Sequence, residues 1–272
     1  MSRVAVVTGA ARGIGAATVV ALASQGWSVV AVDRGEDDPR LPYPLGTPAE
    51  LFDVVAQAEA AHSTAPDADF GPRVVAHLAD TTDATALGAA VAEAEERFGG
   101  LDAMIAVAGV IAGGVPLWEL PEAQLEAVLD VDLLGPIIAA RVGVPALLRR
   151  PAPRSGRYLA VASAAATRGL GGLTAYGAAK AGVAGLVRGL AVDLGDTGVT
   201  ANAVSPGSTD TDMLAESARI YGLAGPGEFA AQQPMGRVLS PDEVASALVW
   251  LAGTTSSALT GVVIPVDGGL AL

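Results

Sequence analysis

The 272-residue chain contains no cysteine. Disulfides, thiolate nucleophiles and cysteine-held metal sites are thereby excluded. Histidine is nearly absent too: His62 and His77 are the two present. They stand outside any ligand motif, so a metal site is not expected and each reads as an ordinary surface or loop residue. Charged residues make up 17%, against roughly 25% in typical soluble chains. So little surface charge implies that much surface is buried, as in an oligomer. The charge that exists is acidic, with a net value of -13 and a pI near 4.4. Nucleic acid and anionic membrane are therefore not expected as partners. An anionic cofactor is not excluded, because backbone N–H groups can hold one locally. No uninterrupted apolar run is long enough to span a bilayer. Met-Ser-Arg leads straight into V-A-V-V, without the basic start and apolar core of a signal peptide, so a cytoplasmic location is expected.

What is present alternates between valine-rich strands and alanine-rich helices. Val4 to Val7 reads as a buried parallel strand. It runs into Thr8-Gly9-Ala10-Ala11-Arg12-Gly13-Ile14-Gly15, and a helix follows to about Gln25. Strand, glycine-rich turn and helix form the setting in which such a loop holds a pyrophosphate. Gly9 permits the tight turn, and Gly13 and Gly15 let the backbone approach the anion. A plain strand-to-helix loop is the alternative. A second strand, Ser28 to Val32, ends on Asp33. An acid there can accept from the adenosine ribose hydroxyls and repel a 2′-phosphate, favouring NAD. Arg34 beside it could instead welcome that phosphate.

Further strands are expected at 74–78, 101–107, 157–162, 199–204 and 262–266, with helices between them. Asp80 ends the third strand, placed to accept from an adenine amino group, and Asp83 caps the helix at 84–98. The stretch 121–148 reads as one long helix interrupted near Gly135-Pro136. Residues 208–235 read as irregular, with Gly222, Gly225 and Gly227 as hinges able to close over substrate. Ser240-Pro241-Asp242-Glu243 opens the last helix as a capping box. No repeat or linker appears, so the expectation is α/β: one domain over 1–272, a single doubly wound parallel sheet of about seven strands flanked by helices. Residues 35–72 make an unusually long second-to-third-strand connection. Tyr43, Leu45, Leu51, Phe52 and Val55 within it favour an ordered lid over a floppy loop.

The reactive polar residues concentrate between Ser163 and Lys180. Tyr176 and Lys180 are one helical turn apart on the same face. A phenol ordinarily has a pKa of about 10, and a neighbouring ammonium lowers it. Tyr176 is thus a candidate proton donor or acceptor for an alcohol or carbonyl. The alternative is a packed tyrosine with Lys180 in water.

Together these pieces resemble the short-chain dehydrogenase/reductase family along nearly the whole chain. They are T-G-A-A-R-G-I-G at 8–15, Asp80, A-G at 108–109, Ser163, Y-G-A-A-K at 176–180, P-G-S-T-D-T at 206–211 and V-D-G-G at 266–269. The resemblance implies a Rossmann sheet. It implies Tyr176 as general acid/base, Ser163 bonding the reacting oxygen, and Lys180 binding the nicotinamide ribose while lowering the tyrosine pKa. It implies cofactor contacts from Gly9, Arg12, Gly13, Ile14 and Gly15, from Asp33, Arg34, Asp80 and Thr81, from Ala108 and Gly109, and from Pro206, Gly207, Thr209 and Thr211. The family's fourth catalytic residue is an asparagine, and Asp132 in V-D-L-L-G stands at its place. A carboxylate near Lys180 would partly cancel the lysine's effect on Tyr176. N-N-A-G is likewise replaced, by Ala106-Val107-Ala108-Gly109.

Y-P-L-G-T at 43–47, after the acid-rich stretch, is similar to the mycofactocin-coupled, carveol-dehydrogenase-like branch. That likeness implies a lid over a tightly held NAD, recycled in place through mycofactocin, a peptide-derived redox carrier. The expected activity interconverts a secondary alcohol and its ketone. The expected substrate is small and apolar, facing Val110, Ile111, Trp118, Leu170, Met213 and Tyr221. A homotetramer is implied, through helices at about 119–150 and 174–194. A catalytically idle NAD-binding sensor or scaffold is the competing reading, motivated by Ala106 and Asp132. Intact Ser163, Tyr176 and Lys180 argue against it.

Overall fold

The computed structural model describes residues 2–63 and 73–272. The end of the long 35–72 connection, residues 64–72, lies outside the described residues. The strands are β1 Val4–Thr8, β2 Ser28–Asp33, β3 Val74–Leu78, β4 Ala103–Ala106, β5 Arg157–Val161, β6 Thr200–Pro206 and β7 Val263–Val266. All pair in parallel, in the order β3-β2-β1-β4-β5-β6-β7. The helices are α1 Gly13–Ser24, α2 Pro48–His62, α3 Ala84–Phe98, α4 Glu122–Leu129, α5 Gly135–Arg149, α6 Thr174–Asp193, α7 Asp212–Ile220 and α8 Pro241–Ala252.

Strand composition follows from burial on both faces. Val4 and Val6 of β1 join one core with α3, α5 and α6 residues such as Leu87, Leu147 and Val183. Ala5 and Val7 join the opposite core with Leu22 of α1, Leu51 of α2 and Leu248 of α8. Successive side chains point to opposite faces, so a strand covered twice needs apolar residues throughout. The strand order reverses between β1 and β4, which opens a crevice at their carboxyl ends. The glycine turn, Asp33 and the residues after β4 and β5 all lead into that crevice.

Four expectations change. Leu51 and Val55 do not belong to a lid: they face the core from α2, an ordinary crossover helix, while Phe52 is exposed. Thr47 starts that helix, accepting from the Glu50 N–H while the Glu50 carboxylate accepts from the Thr47 N–H. Residues 208–235 are irregular only in part, since they hold α7 and a 3₁₀ segment at Pro226–Gln232. Thr211 caps α7 by accepting from the Leu214 N–H, and Leu214 and Ala218 pack on Phe229 in a small core. His62 is buried, with Nδ1 3.3 Å from the Ala23 carbonyl oxygen.

The long helix breaks slightly earlier than expected. A π turn at Asp130–Leu134 joins α4 to α5. Pro136 has no N–H to give the Asp132 carbonyl, and the wider turn absorbs that loss. The run Glu122–Arg149 is long and apolar enough to cross a membrane by length and hydropathy alone, but half of it is buried within this fold.

Candidate active site

A cavity of about 610 Å³ fills the crevice. Its floor is the glycine turn. Gly9 and Gly13 hold φ of +68° and +57°, the left-handed region where a side chain is strained. A Cβ on Gly9 would stand 2.6 Å from Ala108 Cα, and one on Gly15 would overlap the Gly9 carbonyl oxygen. The N–H groups of α1 therefore open onto the cavity, where helix geometry favours an anion.

Asp33 and Arg34 settle how the β2 end is charged. Asp33 accepts from the Ala11 N–H at 3.0 Å and the Gly35 N–H at 3.2 Å. Arg34 is held by three carboxylates: Asp38 at 3.0 Å, Glu36 at 3.3 Å and Asp80 at 3.5 Å. Its charge is thus already matched, which leaves no unpaired cation for a 2′-phosphate. Asp80 also accepts from the Thr82 N–H and hydroxyl. Asp83, as expected, caps α3.

Residues 35–47 run as a strap over this end. Gly46 sits against the glycine turn, where a Cβ would come within 2.8 Å of Ala11 Cβ and 3.2 Å of Asp33 Oδ1. Arg12 donates to the Pro44 carbonyl at 2.9 Å. The Tyr43 hydroxyl accepts from the Ile111 N–H at 2.8 Å, beyond β4. Burial keeps the Tyr43 phenol protonated, its pKa pushed well up. Asp38, itself buried, pairs with Arg40, and Arg40 reaches Asp130 at 2.6 Å. Hydrogen bonds from the Arg40 side chain hold the Asp38 carboxyl down to about 2. The strap is thus anchored at the glycine turn, at the β4 end and at the π turn.

Across the cavity lies the reactive group. Ser163 follows β5, and its Oγ accepts from the Ala165 N–H at 3.1 Å. That use of a lone pair leaves the hydroxyl proton free to donate. Tyr176 and Lys180 are buried on α6, with Lys180 Nζ 5.7 Å from the Tyr176 ring centre. Nζ donates to the Val161 carbonyl at 3.1 Å and pairs with Asp132 Oδ1 at 3.0 Å. One of its three protons remains. Asp132 is wholly buried and also accepts from the Val110 N–H. Its Oδ2 has no protein partner among the described residues. Gly109 makes room for the pair, since a Cβ there would stand 2.8 Å from Asp132 Oδ1 and 3.3 Å from Lys180 Nζ.

The charges interact. Burial raises the Tyr176 pKa; Lys180 pulls it back, Asp132 pushes it up again and Ser163 lowers it slightly. Burial alone would lower the Lys180 pKa, but Asp132 and then Tyr176 outweigh it, and the ammonium is favoured. Burial raises the Asp132 pKa against the pull of Lys180.

Comparison with known proteins identifies the family. Residues 3–42 match the family described as short chain dehydrogenase, and residues 45–271 the one described as Enoyl-(Acyl carrier protein) reductase. The cis-4-hydroxycyclohexanecarboxylate dehydrogenase of Sinomonas cyclohexanicum is 38% identical, over 98% of this chain and 96% of that protein. The cyclohexanol dehydrogenase of Rhodococcus sp. (strain TK6) is 36% identical, over 98% and 96% respectively. The chain belongs to the short-chain dehydrogenase/reductase family. The crystal structure of carveol dehydrogenase from Mycobacterium avium in complex with NAD superposes with a TM-score of 0.89, at 29% identity, covering 98% of this chain and 97% of that one. As a member of the family, this protein is an NAD-dependent short-chain dehydrogenase acting on CH–OH groups.

In this dehydrogenase the cavity wall includes Gly9, Arg12, Gly13, Ile14, Gly15, Asp33, Arg34, Asp80 and Thr81. It also includes Ala108, Gly109, Ser163, Tyr176, Lys180, Pro206, Gly207, Thr209 and Thr211. Asp132 does not line it, standing behind Lys180. Val110, Ile111, Leu170, Met213 and Tyr221 face the far end of the same space. Trp118 does not: it is 83% exposed, on the short 3₁₀ turn Leu117–Glu119. Sequence reasoning missed the Asp38–Arg40–Asp130 clip, the Arg12–Asp212 pair at 3.3 Å, and Gln232 in the wall. Nothing in residue spacing signals a contact between residues 38–40 and 130.

Proposed function

We propose that this dehydrogenase oxidises a small cyclic secondary alcohol to its ketone on an NAD held under the 35–47 strap. The observation that carries the reading is the shared cavity: the phosphate-cradling turn at one wall and Ser163, Tyr176 and Lys180 at the other. The residues fit a dinucleotide. The glycine turn would hold its pyrophosphate, Asp33 its ribose hydroxyls, and the free Lys180 proton its nicotinamide ribose. When bound, NAD supplies the hydride acceptor. The protein's part is to hold the carbinol and take its proton. The Ser163 hydroxyl donates to the carbinol oxygen, Tyr176 removes its proton, and the Lys180 charge favours the phenolate.

The wall at the substrate end is apolar, with Leu173, Leu223 and Phe229 beside the residues already named. Cyclic alcohols are the substrates in the names of the curated relatives, and such rings suit this wall. The strap's anchors support slow cofactor exchange. In this reading the bound cofactor is reoxidised in place through mycofactocin, and the enzyme works in the cytoplasm as a homotetramer. The test is to dialyse the purified protein, release any nucleotide by denaturation, and assay cyclohexanol oxidation with an artificial electron acceptor. Retained NAD and acceptor-dependent ketone formation are expected. A freely exchanging cofactor would remove the recycling proposal. Nucleotide binding without oxidation of any alcohol would favour the idle sensor.

A further inference from the structure

Among the described residues, four cationic side chains line the cavity: Arg12, Arg34, Arg168 and Lys180. Three face a carboxylate within ion-pair distance: Asp212 for Arg12, the Asp38, Glu36 and Asp80 group for Arg34, and Asp132 for Lys180. Arg168 has no such partner. Its Nη1 donates to the Leu270 carbonyl at 2.8 Å, which ties the guanidinium between the 164–173 loop and the C-terminal segment. A guanidinium carries five N–H donors in a planar fork that matches a carboxylate. One is in use.

The surroundings make this cation conspicuous. It stands five residues after Ser163, and Thr167, Arg168 and Gly169 are all exposed. Leu170, Leu173 and Phe229 form an apolar wall of the same cavity. Glu216, the buried acid of α7, is taken by Arg219 at 2.5 and 2.8 Å and offers Arg168 no partner. The chain as a whole carries a net charge of -13. Such a net charge disfavours an anion unless local donors, backbone N–H groups or a cation, receive it.

We infer that Arg168 receives a carboxylate on the substrate, so the preferred substrate is a cyclic hydroxy acid whose carbinol lies at Tyr176 and whose acid group lies at Arg168. The inference rests on the alcohol-oxidation reading and deepens it. The reaction balances as in a neutral alcohol. The carbinol C–H bond breaks with its electron pair going to NAD as hydride, the O–H proton goes to Tyr176, and the carboxylate is unchanged.

The experiment compares 4-hydroxycyclohexanecarboxylate, its methyl ester and cyclohexanol on wild type, Arg168→Met and Arg168→Lys. Reduced nicotinamide or a dye acceptor is the readout. Wild type is expected to prefer the acid over the ester. Arg168→Met is expected to lower the acid-to-ester ratio of kcat/KM by roughly tenfold, the size of one charge-assisted bidentate contact at a partly wet rim. The loss should lie in KM. Arg168→Lys should recover part of it, and added salt should raise KM for the acid alone. Equal loss on acid and ester, or an unchanged ratio, overturns the assignment. Turnover of the neutral alcohols but not the acid also overturns it, while leaving the alcohol-oxidation reading intact. If no alcohol of the three is oxidised by NAD-loaded protein, the underlying reading fails and this one with it.

Discussion

Replacing Asp132 by asparagine removes one charge from the buried Asp132–Lys180–Tyr176 chain while keeping its shape. Asp132 Oδ1 is 3.0 Å from Lys180 Nζ, and Nζ is 5.7 Å from the Tyr176 ring centre. The carboxylate is therefore at most about 9 Å from that centre. At an effective dielectric of about 20, a unit charge at that distance is worth about 2 kcal/mol, on the order of one pH unit on the phenol. Asp132 raises the Tyr176 pKa and Lys180 lowers it. Removing the carboxylate leaves the ammonium uncompensated, so the phenolate gains. The signs then follow. Alcohol oxidation uses the phenolate and rises with pH through the Tyr176 pKa; ketone reduction uses the phenol and falls through it. Asp132→Asn is expected to move both limbs to lower pH by on the order of one unit. The assay is kcat/KM against pH in both directions, with saturating cofactor. Unchanged limbs would refute the coupling, because they would mean Asp132 carries no charge that Tyr176 feels. A shift to higher pH would refute it too, pointing to an asparagine variant whose lysine has lost its proton.

Three further outcomes are expected. Tyr43→Phe leaves the Ile111 N–H without its acceptor, at a cost of about 1–3 kcal/mol to strap closure; NAD dissociation, followed by fluorescence after mixing with a nucleotide trap, should speed up by roughly five- to a hundredfold. Asp38→Asn weakens the hold on Arg40, which ties the strap to Asp130, and should also hasten NAD release, without moving the pH limbs of the reaction. Gly15→Ala forces a methyl group against the Gly9 carbonyl, so calorimetry should detect no NAD binding even where circular dichroism shows a folded sheet.

The sequence by itself determined the sheet. Valine-rich strands such as Val4–Thr8 and Ser28–Asp33 can only be so apolar if both faces are covered, and the helices between them supply the cover. It also determined the loop chemistry, because Gly9, Gly13 and Gly15 stand at the one strand-to-helix turn where backbone must approach a ligand. Tyr176 and Lys180 were legible for the same local reason: one helical turn places both on one face.

Tertiary structure decided what depends on residues far apart in the chain. The 35–72 insert looked like a single lid. Only packing shows that α2, with Leu51 and Val55, is core, and that 35–47 crosses the cavity. α7 was hidden by the glycines after it, and became visible through its Thr211 cap and the Leu214–Phe229 contact. Trp118 read as pocket lining because it is large and apolar, but the 3₁₀ turn carrying it faces outward. Charge pairing is the clearest case. Arg34 and Arg168 are the same residue type in one cavity wall. Three carboxylates from two segments neutralise the first, and among the described residues none reaches the second. A side chain's charge is local, but whether it is already matched is a property of the fold.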